Sequence, residues 1–330
     1  MEIAMPSRRS LLSCVLAPAA LAGGLLAVNR ASARSATREF IGIDGWLNTD
    51  GPLTMAGLRG KVALVEFCTY TCINWRRTLP YVNRWHSEYG PRGLQIIGVH
   101  TPEFEFERVR PNVETAIREL DVRHPIAQDN EFQTWDAWGN RAWPSFYVLD
   151  RDGQVRLVRE GEGYAQEIEA TIRSLLGLAR VGSMEHPADD ADLSRVRTPE
   201  IYFGSGHPTP QDRAQSPRQG EAAYAFAQPG GPNLNEYQLD GSWARGQEAL
   251  VLRSPRGKVR VRFSAAKLHL VAGASQPASV RVNVDGGGER TIEVGMPTLY
   301  TLLDGDGYGE HLLELECATP GLSLFSATFG

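Results

Sequence analysis

Short apolar runs bounded by turn residues punctuate the first half of the chain. Residues 62–67 and 94–99 have the length and near-continuous apolarity of strands buried on both faces. Between them the period lengthens. Leu79, Val82, Trp85 and, less regularly, Tyr89 share one helical face, which predicts a helix over 76–89. A second helix is predicted over 111–120. Residues 146–149 and 155–158 flank Asp150-Arg151-Asp152-Gly153, the composition of a hairpin turn. Ile168, Ile172, Leu175 and Leu176 fall on one face of a closing helix over 166–178. Strand, helix and strand followed by hairpin and helix is an α/β order.

The pattern changes after residue 180. Residues 186–192 are polar and acidic, and 204–220 are rich in Gly, Pro, Ser and Gln, so 181–234 reads as a linker and surface excursion. From 235 to 330 strand signals recur at short intervals without helical periodicity, at 249–253, 258–263, 267–272, 280–285, 290–294, 311–317 and 322–328. Turns containing Gly or Pro separate most of them, which predicts an all-β sandwich of jelly-roll type. The expected organisation is an α/β domain over 34–180 followed by this sandwich.

Composition narrows the function classes. The formal net charge of the 330 residues is −5; residues 1–33 hold three Arg and one Glu, so the remainder stands at −7. A mildly acidic chain without a basic block gives no support for nucleic-acid binding. Ser7-Arg8-Arg9-Ser10-Leu11-Leu12 has the twin-arginine pattern, residues 11–28 are apolar, and Ala31-Ser32-Ala33 offers a cleavage site. Residues 1–33 therefore read as an export signal, predicting a periplasmic or secreted protein. An uncleaved membrane anchor is the weaker reading, because Pro18, Gly23 and Gly24 interrupt a run already short for a span. Beyond the signal the chain has only Cys68, Cys72 and Cys317. Such a chain relies on ordinary cores rather than on disulfide staples.

The candidate chemistry lies at Glu66-Phe67-Cys68-Thr69-Tyr70-Thr71-Cys72-Ile73-Asn74-Trp75, where a buried strand gives way to a helix. A thiol at a helix N-terminus meets unpaired N–H groups and the positive end of the dipole, which favours the thiolate. Cys72 is therefore the candidate nucleophile. Glu66, an acid inside an apolar strand, is the candidate for moving a proton to or from a thiol; an edge-strand Glu facing solvent is the alternative. A cis bond at Trp143-Pro144, just before a strand, would expose backbone groups to an extended peptide, so Trp143, Pro144 and Trp75 are candidate groove residues. Thr69 and Arg76 are candidates for stabilising a thiolate. In the sandwich, Cys317 reads as a packed core thiol, and Asp304-Gly305-Asp306-Gly307 as a Gly-rich hairpin rather than a calcium loop. Tyr237, Trp243, Tyr300 and Tyr308 fit core or turn positions better than a sugar-binding face, and carbohydrate binding stays unsupported.

These elements in this order resemble the thioredoxin-like superfamily, in its TlpA/redoxin branch of exported thiol–disulfide proteins. More specifically, the chain resembles the periplasmic region of DipZ-type proteins. That resemblance rests on residues 66–75, on Gly98-Val99-His100-Thr101-Pro102-Glu103-Phe104, on Asp129-Asn130 through Trp135, and on Gly139-Asn140, Trp143-Pro144 and Gly161-Glu162-Gly163. It extends to Thr198-Pro199-Glu200-Ile201-Tyr202-Phe203-Gly204 and Phe325-Ser326-Ala327-Thr328-Phe329-Gly330. It implies a thioredoxin-like domain followed by a carbohydrate-binding-module-like sandwich. It makes Cys72 the attacking cysteine, Pro144 the cis-proline and Glu66 the buried acid. Two positions depart from the family. Trp75 stands where the resolving cysteine is expected, and Cys68 stands where Trp is common.

The implied function is an exported thiol–disulfide oxidoreductase with Cys72 as nucleophile and Cys68 as candidate resolving thiol. Its partners would be protein thiols or disulfides and a redox partner protein, with no cofactor and no metal. A peroxiredoxin-like peroxidase working through Cys72 stays open, since Thr69 precedes Cys72 by three residues. The proline that opens that motif is missing. A redox-inactive binding protein is the third reading. Sco-type copper binding is disfavoured, because Ala142 falls about where the distant His ligand would be.

Overall fold

The computed structural model describes residues 38–179, 191–207, 219–227 and 230–330. The export-signal reading of 1–33 lies outside them. The first sheet has the order β1-β4-β3-β2-β5-β6, built from β1 (Gly45–Leu47), β2 (Val62–Cys68), β3 (Leu94–His100), β4 (Ile126–Gln128), β5 (Ser145–Leu149) and β6 (Val155–Glu160). Strand β2 is central, parallel to β3 and antiparallel to β5, with Glu66 opposite Gly98 and Phe146. All seven of its residues are buried, as its apolar run predicts for a strand covered on both faces.

Val62 and Leu64 pack against α1 (Ile73–Tyr89) and α4 (Ala165–Leu176) through Val82, Trp85, Ile168 and Ile172. Val65 and Phe67 face the other way, onto Tyr147 and onto Trp138 of α3 (Gln133–Trp138). Helix α2 (Arg110–Glu119) lays Val113, Ala116 and Ile117 against Ile126. The topology is thioredoxin-like, as the element order implies. Helix α3 has no sequence-level counterpart: six residues are too few to display a period. It is started instead by Asp129, whose carboxylate accepts the Thr134 and Trp135 N–H groups at 3.0 and 2.8 Å.

The second part is all-β. Its strands among the described residues are β7 (Ile201–Tyr202), β8 (Gly220–Tyr224), β9 (Glu236–Arg245), β10 (Leu250–Leu252), β11 (Gly257–Ala274), β12 (Ala278–Val284), β13 (Glu289–Val294), β14 (Thr298–Cys317) and β15 (Leu322–Phe329). Strands β11 and β14 run side by side for most of their length. The first half of β11 pairs with β9 and the second half with β15, and β10 pairs with both, so these strands close on one another within one sheet. Tyr237, Leu239, Trp243, Val261, Phe263, Leu270 and Leu315 fill the core between them. Cys317 is buried there too, as expected.

Several expected boundaries shift. Residues 258–263 and 267–272 belong to one strand whose register slips around Ala265–Lys267, and that slip is the break visible in the sequence. Asp304-Gly305-Asp306-Gly307 lies inside β14 at the same irregularity, not in a hairpin, with Asp304 Oδ1 2.8 Å from Lys267 Nζ. The expected linker over 181–234 gives β7 and β8 to the sheet. Strand β9 escapes the pattern because Asp240, Gly241 and Ser242 break its alternation.

Candidate functional site

Strand β2 ends at Cys68, whose carbonyl accepts the Thr101 N–H at 3.0 Å, and the following turn closes through Cys72 N–H to the Thr69 carbonyl at 3.2 Å. Cys72 caps α1 with extended backbone, φ −72° and ψ 112°, and its carbonyl accepts the first helical bond from Arg76 at 3.0 Å. Its side chain is half-buried, with Sγ 3.7 Å from the Trp143 carbonyl oxygen. The Trp143–Pro144 bond is cis, and the Trp143 ring lies 4.5 Å from that of Trp135. The structure thus brings Cys72, Trp143 and Pro144 together.

The charge state at Cys72 runs against the expectation from its position. Burial pushes the thiol well up from its ordinary value, and the charges of Glu103 and Glu200 add to the rise. The Trp75 and Asn74 N–H groups at the helix start act in the opposite direction without overcoming it.

Cys68 is fully buried, with Sγ 3.5 Å from the Val99 carbonyl oxygen, in an apolar cluster with Trp75, Leu79, Val113 and Ile126. Cys72 packs at the edge of that cluster, and both cysteines are free thiols. Glu66, also fully buried, is not an edge-strand acid: its Oε1 lies 2.8 Å from Nε2 of an equally buried His124. Gly98 makes room for this pair. A Cβ there would stand 2.4 Å from Ile126 Cδ1, 3.3 Å from His124 Nε2 and 3.5 Å from Cys68 Sγ. Glu66, His124 and Cys68 therefore border one small space. Burial pushes the Cys68 thiol up, followed by the neighbouring charges of Glu66 and Cys72.

A second set of carboxyl groups surrounds the start of α1. Buried Glu107 accepts from Thr71 N–H at 3.2 Å and Thr71 Oγ1 at 2.6 Å through one oxygen. Its other oxygen accepts the Glu103 and Phe104 N–H groups at 2.7 and 3.0 Å. It thereby ties the turn before Cys72 to the loop after β3. Tyr202, on β7, donates its hydroxyl to Glu103 Oε1 at 2.5 Å and also meets Glu200. Thr328 Oγ1 donates to Glu200 Oε1 at 2.9 Å. Burial and then the charges of Glu200 and Glu107 push the Glu103 carboxyl well up; burial raises that of Glu200.

The β-domain covers this end of the sheet. Ile73 and Phe104 pack with Ala249, Val271, Leu299 and Phe325, and the Phe106 and Phe325 rings meet edge-on at 4.7 Å. Arg76 donates to the Tyr70 carbonyl at 2.7 Å and to Thr298 Oγ1 at 3.1 Å. Burial lowers its guanidinium to about 10. The bond to Thr298 joins the two domains, and neither bond is made to a thiolate. Thr69 is fully buried, on the side of Glu107. Trp75 is fully buried in the Cys68 cluster and lines no groove, because its place in the first turn of α1 faces the sheet. The residues missed by the sequence reading are His124, Glu103, Glu107, Glu200 and Tyr202. Glu103 and Glu200 stand in the family-like segments, but nothing local links positions so far apart in the chain.

Residues 42–158 match the AhpC/TSA family and residues 198–330 match the thioredoxin-like C-terminal domain. The chain is 34% identical to protein DipZ of Mycobacterium bovis over 302 residues, covering 88% of this chain and 42% of that protein. It is 29% identical over 139 residues to the thiol-disulfide oxidoreductase YkuV of Bacillus subtilis, covering 42% of this chain and 92% of YkuV. A solved thiol-disulfide isomerase from Corynebacterium glutamicum overlays 42% of this chain and 94% of its own, at 25% identity and a TM-score of 0.38. The chain spans less than half the length of its DipZ relatives. Among the described residues no helix is long and apolar enough to cross a membrane. The chain joins an AhpC/TSA-family domain to a thioredoxin-like C-terminal domain, and the first has the thioredoxin-like topology described above.

Proposed function

We propose that the protein is an exported thiol–disulfide oxidoreductase in which Cys72 attacks and Cys68 resolves. The observation that carries this reading is the meeting of Cys72 Sγ with the Trp143 carbonyl, next to the cis Pro144, while Cys68 packs in the same cluster. Cys72 attacks one sulfur of a substrate disulfide and forms a mixed disulfide, releasing one substrate thiol. Deprotonated Cys68 then attacks Cys72 Sγ, closing a Cys68–Cys72 bond and releasing the second thiol. Glu66 and His124 border the Cys68 thiol and receive its proton. An extended peptide substrate would pair beside Trp143 and Pro144. The twin-arginine pattern at residues 7–12 supports export to a compartment where disulfides persist.

The match to the AhpC/TSA family favours a second reading, a peroxidase in which Cys72 becomes a sulfenic acid. Mass spectrometry after graded oxidation by glutathione disulfide or peroxide separates the two. The oxidoreductase reading expects a reversible Cys68–Cys72 bond at a potential within the range of exchange enzymes. Two free thiols under every disulfide buffer would overturn it, and rapid peroxide consumption with sulfenic acid on Cys72 would favour the peroxidase.

A further inference from the structure

The surroundings of Cys72 are drawn from both domains. Glu103 comes from the loop after β3, and Glu200 immediately precedes β7. One tyrosine hydroxyl, Tyr202 Oη, bridges the two carboxyl groups, and Thr328 holds Glu200 from β15. Glu107 fixes the Glu103 loop and, with its other oxygen, Thr71, the neighbour of Cys72. The titratable groups facing the pair are Cys72, Glu107, Tyr202 and His207, whose ring stacks on Tyr202 at 4.7 Å. Two carboxyl groups held together and withdrawn from water ionise one at a time, so the second keeps its proton above the ordinary carboxylate range.

We infer that Glu103 and Glu200 form a carboxyl pair, shared between the two domains, that takes the proton from Cys72 and returns it to the leaving sulfur. This inference rests on the thiol–disulfide reading and deepens it, making the β-domain part of the reaction site. As the Cys72 sulfur attacks a substrate disulfide, its proton passes to the ionised member of the pair. The substrate S–S bond breaks as the Cys72–substrate bond forms, and the leaving thiolate takes the proton back. One disulfide bond is exchanged for another, and no proton is gained or lost. Tyr202 is a positioning residue, setting the distance between the two acids.

The test uses the full chain and reads two quantities that need no turnover. The first is the pH dependence of Cys72 alkylation by iodoacetamide. The second is the protonated-carboxyl infrared band at neutral pH. Glu103→Gln/Glu200→Gln removes the negative charge facing the thiol, so the alkylation midpoint falls by about one pH unit and the rate near neutrality rises about tenfold. Glu200→Gln alone removes the repulsion and leaves Glu103 buried, so the infrared band titrates away at a lower pH than in the wild type. An unshifted alkylation profile in the double variant, or no protonated-carboxyl band in the wild type at neutral pH, overturns the proposal. A wild-type infrared titration without that band overturns the proposal even if the double variant does not fold. Because neither measurement involves a disulfide substrate, failure of the oxidoreductase reading would appear separately, as missing exchange activity with these signatures intact.

Discussion

Cys68 and Cys72 stand four residues apart in unlike surroundings. Cys68 is enclosed by one domain, with a carbonyl, an acid and a histidine at its side. Cys72 lies where two domains meet, half-buried beneath the Trp143 carbonyl and in the field of two acids. Both thiols are nevertheless pushed up, and for the same leading reason, burial. A helix terminus contributes about 0.3–2 kcal/mol, equivalent to at most about 1.5 pKa units. Desolvation reaches about 3–5 units for fully buried groups. A cysteine at the start of a helix is therefore acidified only while that end stays open to water, and here the β-domain covers it.

The sharpest way to break this contrast is to remove each sulfur in turn. Cys72→Ser is expected to lower exchange with a disulfide substrate by at least about 10³-fold, because among the described residues no other thiol lies beside the Trp143 carbonyl. Cys68→Ser should retain the first attack and accumulate a mixed disulfide on Cys72, visible as an adduct mass. Equal trapping by both single variants would show that the two thiols are interchangeable.

Much of this contrast was legible in the chain and part was not. The strand-to-helix turn, the Trp143-Pro144 element and the buried acid are local patterns, and each lies on the element where it is expected. Glu66 gains His124 only because the parallel pairing of β2, β3 and β4 brings the segment before Ile126 alongside Gly98. No periodicity encodes that adjacency. Glu103 and Glu200 meet across a domain junction whose second half begins in a stretch that reads as linker, because β7 is two residues long. Trp75 reads as a groove residue because it fills the position of a family cysteine, yet a large apolar ring in the first turn of α1 gains more by packing onto Leu79 and Val113.

The two surroundings should also respond to pH with opposite sign. His100 faces Cys68 across the β2–β3 ladder, is buried against Tyr70, and is lowered by burial to about 4. Its folded-state value lies below its unfolded one. The associated stability is therefore complete above about pH 6.5 and is lost as pH falls toward 4, by about 3 kcal/mol. His269 is lowered to about 4 as well and shares the acid limb. On the Cys72 side, Glu103 and Glu200 are raised, so their contribution is present below the ordinary carboxylate range and is lost as pH rises through their folded-state values. Urea titrations across pH should find His100→Leu flattening the acid limb by roughly half and leaving the alkaline limb alone. An unchanged acid limb would mean that His100 is hydrated in solution.

The gentlest probe acts on the Cys68 side alone. Gly98 has ordinary strand pairing, so its substitution tests space rather than backbone freedom. In Gly98→Ala the added methyl meets Ile126 Cδ1, the far end of a flexible side chain, which can rotate away. It also presses on His124 Nε2, whose position the Glu66 bond holds, and comes into ordinary contact with Cys68 Sγ. Overpacking of this kind costs about 1–3 kcal/mol, and the escape open to Ile126 puts the expectation near the lower figure. Urea denaturation should read that loss, and formation of the Cys68–Cys72 bond should slow as the Glu66–His124 contact lengthens. The alkylation profile of Cys72 should stay where it is in the wild type, since its leading neighbours lie in another loop and another domain. If Gly98→Ala moved that profile as far as the double carboxyl variant does, the two thiols would share one electrostatic environment, and the division of labour between them would have to be abandoned.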